Sequence, residues 1–240
     1  VTAGAKTAAL SQDASVAYSD LAELHLTLGN ISDAVAAARQ AVSFADHSGI
    51  WSVRSFSRAS LATALHQSGN VADALGLFVE AEKIQTQNQP QYSVLYSIRG
   101  YRYCDLLLDQ AQTAEVIRRA SLTLNWEQGR LLDIGLDHVS LGRAYPRGSA
   151  DAAAHLEQAV EFLRRAGTLH HLPRALLARG TPQDLDEVFR TANRSGMRLF
   201  LADYHLACGN LAEAEALIQE TGYHRSDREL AELRARKAKP

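Results

Sequence analysis

Sulfur is nearly absent from this chain: 240 residues carry two cysteines, Cys104 and Cys208, and a single methionine, Met197. The cysteines stand far apart, with no Cys-x-x-Cys and no Cys/His spacing around them. That excludes a disulfide framework and a structural zinc site, and it fits a reducing, cytoplasmic setting. An excess of charge of one sign is missing too, with 25 Lys+Arg against 27 Asp+Glu and a formal charge of -2. No basic field exists to draw the chain to phosphate backbones or anionic lipid, so neither nucleic acid nor a membrane is expected as partner. No apolar run approaches the roughly 20 residues that span a bilayer, and no basic-then-apolar leader opens the chain. The first residue is Val1 rather than Met, so the sequence reads as a piece of a longer polypeptide. What is present, 46% hydrophobic and 22% charged, is ordinary globular material.

Its organising feature is self-similarity. Residues 21–42, LAELHLTLGNISDAVAAARQAV, align with residues 61–82, LATALHQSGNVADALGLFVEAE. Ala22, Gly29, Asn30, Ala34 and Ala41 recur as Ala62, Gly69, Asn70, Ala74 and Ala81, each shifted by 40 residues. Apolar residues at helical spacing lead into Gly-Asn, a left-handed turn that ends one helix before a second begins. Ser32 and Asp33 are placed to cap the second helix of the first unit, and Val71-Ala72-Asp73 does so less fully in the next. Alanines at matched places let the paired backbones approach, and such a hairpin buries its apolar face only by stacking on copies of itself.

A last clear copy spans 201–222, with Ala202, Gly209, Asn210 and Ala214 in the same register. Between lie divergent copies: Tyr96, Gly100 and Tyr103 followed by Ala114, then Leu141, Gly142 and Tyr145 followed by Ala152, Ala159 and Val160. The small markers Ala22, Ala62, Gly100 and Gly142 are spaced 40, 38 and 42. A further unit is compressed, because Thr181-Pro182 follows Leu176-Leu177-Ala178 at once. There, and at Tyr145-Pro146-Arg147-Gly148, either the helices are shortened or the loops lack residues. Gly and Pro fall singly at turns, so residues 1–240 read as a single repeat domain. Its clear repeats are 15–45, 55–85 and 201–222, its divergent ones 92–124, 134–166 and 172–195, and residues 225–240 form a capping helix with a frayed basic end.

An aromatic or Leu followed by Leu-Ala or Leu-Gly, then Gly-Asn, then Ala and Ala, resembles the tetratricopeptide repeat. The period near 40 is similar to the longer repeats of kinesin light chains and of the helical tails of bacterial signal-transducing NTPases. The segments LYSIRGYRYCDLLLD, LLDIGLDHVSLGRA and ETGYHRSDREL resemble the repeat tail of large bacterial proteins that carry a NACHT-type NTPase upstream. The resemblance implies an all-α fold: a right-handed alpha-alpha superhelix, a solenoid of about five to six helical hairpins. It also implies a non-catalytic interaction module whose first helices line a concave groove for a peptide or protein segment, or the sensor tail of a multidomain NTPase. Exposed end repeats of such arrays can stack between molecules, so homo-oligomers are compatible with it. The chaperone-clamp subfamily needs lysines on that groove, whereas here the corresponding places hold Val16, Ser19, Glu23, Phe56, Ala59 and Thr63.

No nucleophile elbow, phosphate loop or His-Glu-x-x-His appears, and an open repeat surface offers no closed pocket, so no catalytic residue, cofactor or metal is assigned. His25, His66 and His205 sit at repeat positions that face the hairpin interior and read as packed side chains. His170 and His171 are adjacent, about 100 degrees apart on a helix, and make a poor chelate. Asp133 and Asp137 share a helix face and read as a solvated or arginine-paired edge. The middle first helices are richer: Arg54, Phe56 and Arg58, then Arg99, Tyr101, Arg102 and Asp105, then Arg143. Arginine beside aromatics is the composition of binding hot spots. One reading makes Phe56, Arg58, Tyr101, Arg102 and Arg143 the partner-binding groove, with a preference for an acidic or phosphorylated segment. The other packs Tyr96 and Tyr103 between helices and pairs the arginines with Asp105, Asp109 and Asp137.

Overall fold

The structure, a computed structural model, describes residues 3–126 and 129–238, with side chains from residue 8 onward. Among the described residues there are thirteen α-helices, one 3₁₀ turn (His224–Ser226) and no strand. The helices are α1 (Ala3–Leu28), α2 (Ile31–Ser48), α3 (Trp51–Gln67), α4 (Val71–Asn88), α5 (Ser97–Asp109), α6 (Thr113–Trp126) and α7 (Leu131–Ala144). They continue with α8 (Ala150–Ala166), α9 (Leu172–Arg179), α10 (Pro182–Ser195), α11 (Arg198–Cys208), α12 (Leu211–Thr221) and α13 (Asp227–Lys237). Successive helices pack as pairs, α1/α2, α3/α4, α5/α6, α7/α8 and α9/α10, so the all-α helical-repeat fold expected from the periodicity is the fold observed. The chain divides into two compact units, Val1–Leu95 with Gln219–Ser226, and Tyr96–Ile218 with Asp227–Pro240.

The first unit repeats its geometry as faithfully as its sequence. Gly29 and Gly69 sit at φ of 80° and 83°, a region closed to most side chains. Gly29 N donates to Leu26 O at 3.1 Å and Asn30 N to His25 O at 2.8 Å; Gly69 N donates to His66 O at 3.0 Å and Asn70 N to Leu65 O at 2.9 Å. These paired bonds satisfy carbonyls that the end of a helix leaves open. Capping of the second helices reverses the expectation. Asn70 accepts from Asp73 N and donates to the Asp73 carboxylate at 2.7 Å, whereas the first turn of α2 has no side-chain cap bond at Asn30. In α4 the cap belongs to the Asn of the turn; Ser32 and Asp33, two and three positions past Asn30, are already inside α2 and do not occupy the capping position.

Small residues carry the packing. Ala22, Ala34, Ala41, Ala62, Ala74 and Ala81 are all buried. Ser15 donates to Ala41 O at 2.8 Å, and 40 residues later Ser55 donates to Ala81 O at 2.9 Å. Each hydroxyl crosses its own hairpin, and such a bond forms only where helix axes run close. Ser57 then meets Ser15 Oγ at 2.8 Å, tying α3 to α1.

In the second unit the same turn recurs with substitutions. Gly209 (φ 74°) keeps the pattern, with Asn210 N donating to His205 O at 2.8 Å. The α5–α6 turn makes it without glycine: Ala111 holds φ 56°, its N donates to Leu108 O at 2.9 Å, and Gln112 N donates to Leu107 O at 2.9 Å. In α6 the buried places of Ala34 and Ala41 fall to Val116 and Thr123, while Ala114, the sequence marker, is exposed. The helix starts at Thr113, so its fourth residue, not its second, faces inward.

Hairpin α7/α8 is the closest-packed of this unit. A Cβ on Gly135 would lie 2.8 Å from Leu163 Cγ, and one on Gly142 would lie 2.6 Å from Leu156 Cγ. Helix α9 is indeed short, eight residues, and its turn closes completely. Gly180 (φ 66°) donates to Leu176 O at 2.8 Å, and Thr181 with Asp184 forms a capping box that starts α10. At the other compressed place Ser149 N donates to Pro146 O at 3.0 Å and Ser149 Oγ accepts from Ala152 N at 3.2 Å. The core of this unit gathers Tyr101, Leu136, Leu163, Leu176 and Val188, and α13 buries Leu230 and Leu233.

Candidate partner-binding surfaces

On α3, Phe56 is half-buried and Arg58 almost wholly buried. Arg58 reaches Asp46 of α2 with both terminal nitrogens, at 2.9 and 3.1 Å, and Glu80 of α4 with Nε at 2.7 Å. Arg54 adds a bond to Asp46 at 3.0 Å. Burial works to raise the Asp46 carboxyl, but the hydrogen bonds from Arg58 and Arg54 override it and hold the group below its ordinary value. Burial likewise opposes charge on Arg58, and the two carboxylates more than restore it. Arg58 is thus a strut across three helices, with its fork already filled.

In the second unit Tyr101 is in the core, with the His171 ring edge-on at 6.4 Å between centroids. Arg102 is half-buried. Arg143 of α7 pairs with buried Asp105 of α5, the ion pair that the packing reading assigns to it. Asp133 and Asp137 share a face of α7 but are both buried rather than solvated. Asp133 accepts from Ser97 at 2.6 Å and from Arg130 at 3.3 Å. Ser97 opens α5 at φ 59°, and its hydroxyl bond to Asp133 is what anchors that start. Tyr103 packs as expected, with the Arg119 guanidinium 4.5 Å above its ring.

Cys104 is not set up as a nucleophile. Burial pushes the Cys104 thiol up to about 12, so it stays protonated and inert. Cys208 is exposed on α11. His66 is buried, and His205, half-buried, takes a 3.2 Å hydrogen bond from Asn210 of its own turn. A different pair of histidines, not evident in the repeat register, does meet: His138 and His155 face each other across α7/α8 with Nδ1 atoms 2.8 Å apart. Phe162 stacks on the first at 5.8 Å and Tyr145 on the second at 5.5 Å. Burial and the charge of His155 hold His138 at about 4, and burial lowers His155. A second aromatic patch, exposed Phe189 with Tyr204 at 5.1 Å, joins α10 to α11. The spacings 138/155 and 189/204 cross a turn, so neither contact has a helical period to reveal it.

The family model described as Tetratricopeptide repeat matches residues 15–40, 56–80 and 197–220. Three stretches of the chain thus match the tetratricopeptide repeat. The matched stretches are those with the Gly-Asn turn, and repeats of this kind generally serve protein–protein interaction rather than catalysis. No curated protein and no solved structure gives a significant match to this chain. Among the described residues no helix is long and apolar enough to cross a membrane.

Proposed function

We propose that this protein is a non-catalytic interaction module that takes a peptide or protein segment on its first-helix surfaces, within the cytoplasm. The observation that carries the reading is the presence of tetratricopeptide repeats at three places along the chain. Of the five residues assigned by composition, Phe56 on α3 and Arg102 on α5 combine partial exposure with contact chemistry. They are the proposed contacts, one on each unit. Arg58, Tyr101 and Arg143 support them by fixing α3, α5 and α7 through ion pairs and core packing. The favoured ligand is an acidic segment with an aromatic or aliphatic anchor. Such a module suits the recognition tail of a larger bacterial signalling protein of the NACHT kind.

Fluorescence anisotropy with a panel of acidic peptides, with and without an aromatic anchor, tests the reading. Phe56→Ala and Arg102→Glu each weaken binding about tenfold or more while leaving the helical circular dichroism unchanged. Absence of binding across the panel, or binding indifferent to both substitutions, overturns it. Arg58 and Arg143 are unsuitable probes because their removal disturbs the fold.

A further inference from the structure

Helix α1 has two unlike sides. Ser15, Ser19 and Ala22 are buried in the first unit, while Leu10 (70% exposed), Leu21 (39%), Leu24 (53%) and Leu28 (37%) face solvent. Together with Ala14 and Ala17 these leucines fall at 10, 14, 17, 21, 24 and 28, alternating steps of four and three that keep one narrow stripe on a helix. The stripe is about 27 Å long, 18 rises of about 1.5 Å. Its repeat equivalents on α3, shifted by 40, include Ser57, Leu61 and Ala64, all buried, on a helix that packs against α1 and α2. The same face of the repeat therefore takes helices where a neighbour is present, and on α1 it is uncovered.

We infer that this stripe is the contact between two copies of the chain, packed antiparallel about a twofold axis. The order of side chains commits the assignment. Reversing the stripe onto itself sets Leu28 against Leu10, Leu24 against Ala14 and Leu21 against Ala17. In the inner layers every large residue meets a small one, so two identical helices interdigitate at close approach without a void. Head-to-tail stacking has no matching free surface on the last hairpin. There α13 buries Leu230 and Leu233, Leu233 and Lys237 close over Gly209 at 4.0 Å, and Arg234 reaches Glu215 at 2.5 Å. Asp20 flanks the stripe beside the axis and faces its own copy, so like charge opposes the association and salt strengthens it.

Sedimentation equilibrium of the 240-residue chain is expected to give a dimer. In Leu21→Asp/Leu24→Asp the dimer weakens by about 100-fold or more, with unchanged circular dichroism because both positions are exposed. Register is read by mixing Ala17→Cys and Leu21→Cys chains in a Cys208→Ser background: oxidation yields the mixed disulfide in preference to either homodimer. A monomer throughout overturns the assignment, and so does a dimer that survives the double substitution or crosslinks preferentially Leu21→Cys to itself. Peptide binding by Phe56 and Arg102 is read separately, so failure of one conclusion leaves the other standing.

Discussion

Both units use an arginine strut, Arg58 in the first and Arg143 in the second, but otherwise they join helices of the same repeat by different means. In the first, hairpins touch through alanine and serine, and the hydroxyls of Ser15 and Ser55 repeat the same cross-hairpin bond 40 residues apart. In the second, glycines bring α7 and α8 into contact, and buried charge joins α5 to α7 through Arg143–Asp105 and Ser97–Asp133. Small-residue packing tolerates exact repetition, since every copy needs the same shape. A buried ion pair needs two particular residues in one place and so breaks the repeat. The divergent sequence of α5 to α8 goes with that exchange, while the α11 turn of the same unit keeps the pattern.

Loss of an arginine should separate the units most. In the second unit Arg143→Ala removes the ion pair to Asp105, whose side chain is 7% exposed, and is expected to cost about 2–3 kcal/mol in urea unfolding. Arg58→Ala in the first unit should cost about half that or less, although Arg58 is the more deeply buried, because Asp46 and Glu80 are 43% and 48% exposed and return to water. Equal losses would dissolve the distinction. Gly142→Ala comes next, at about 2 kcal/mol, because the added methyl meets not only the Leu156 side chain but its backbone N at 3.2 Å. A neutral result by thermal melting would mean that α7 and α8 can part at little cost.

Only the second unit holds the His138–His155 pair. His138 titrates at about 4 in the folded chain, below the ordinary value near 6.5, so the unfolded chain binds the proton more readily. Stability is complete above pH ~6.5 and falls as pH drops toward 4. A fully buried site would give about 1.4 kcal/mol per pH unit; His138 is partly exposed, and less than about 1 is expected. The carboxylates held low by arginine, Asp46, Glu115 and Asp184, add their own losses at lower pH. His138→Gln should flatten the melting temperature between pH 6.5 and 4. An unchanged slope would move the effect to other groups.

What could be read beforehand followed the same division. Helices, their pairing and the Gly-Asn turns were legible because each is set by residues within a few positions of one another, and copies at a constant shift reinforced the pattern. Residue roles were legible only in part. Arg58 and Tyr101 carry hot-spot composition, but composition is blind to which side of a helix meets a neighbour, and both are buried. Asp133 and Asp137 read as a solvated or arginine-paired edge; Asp133 does pair with Arg130, but both are buried, and the bond from Ser97 of α5 to Asp133 has no trace in the local pattern. His138 and His155 are 17 residues apart on antiparallel helices, a separation that no period marks.

The smallest effect tests whether divergence in a turn is tolerated or preferred. Ala111 adopts the left-handed conformation that Gly29, Gly69 and Gly209 adopt at the equivalent turns, and makes the same two carbonyl bonds. Its methyl group is strained against its own backbone there, a cost of about 1 kcal/mol that glycine avoids. Glycine in turn loses more freedom on folding, which returns part of the gain. Ala111→Gly should therefore stabilise the second unit by about 0.5 kcal/mol, the opposite sign to Gly69→Ala in the first, where the added Cβ also meets His224 Cβ at 2.8 Å. If chemical denaturation shows both substitutions destabilising, the α5–α6 turn is held by its surroundings rather than by its own geometry, and the two units differ in their turns as well as in their packing.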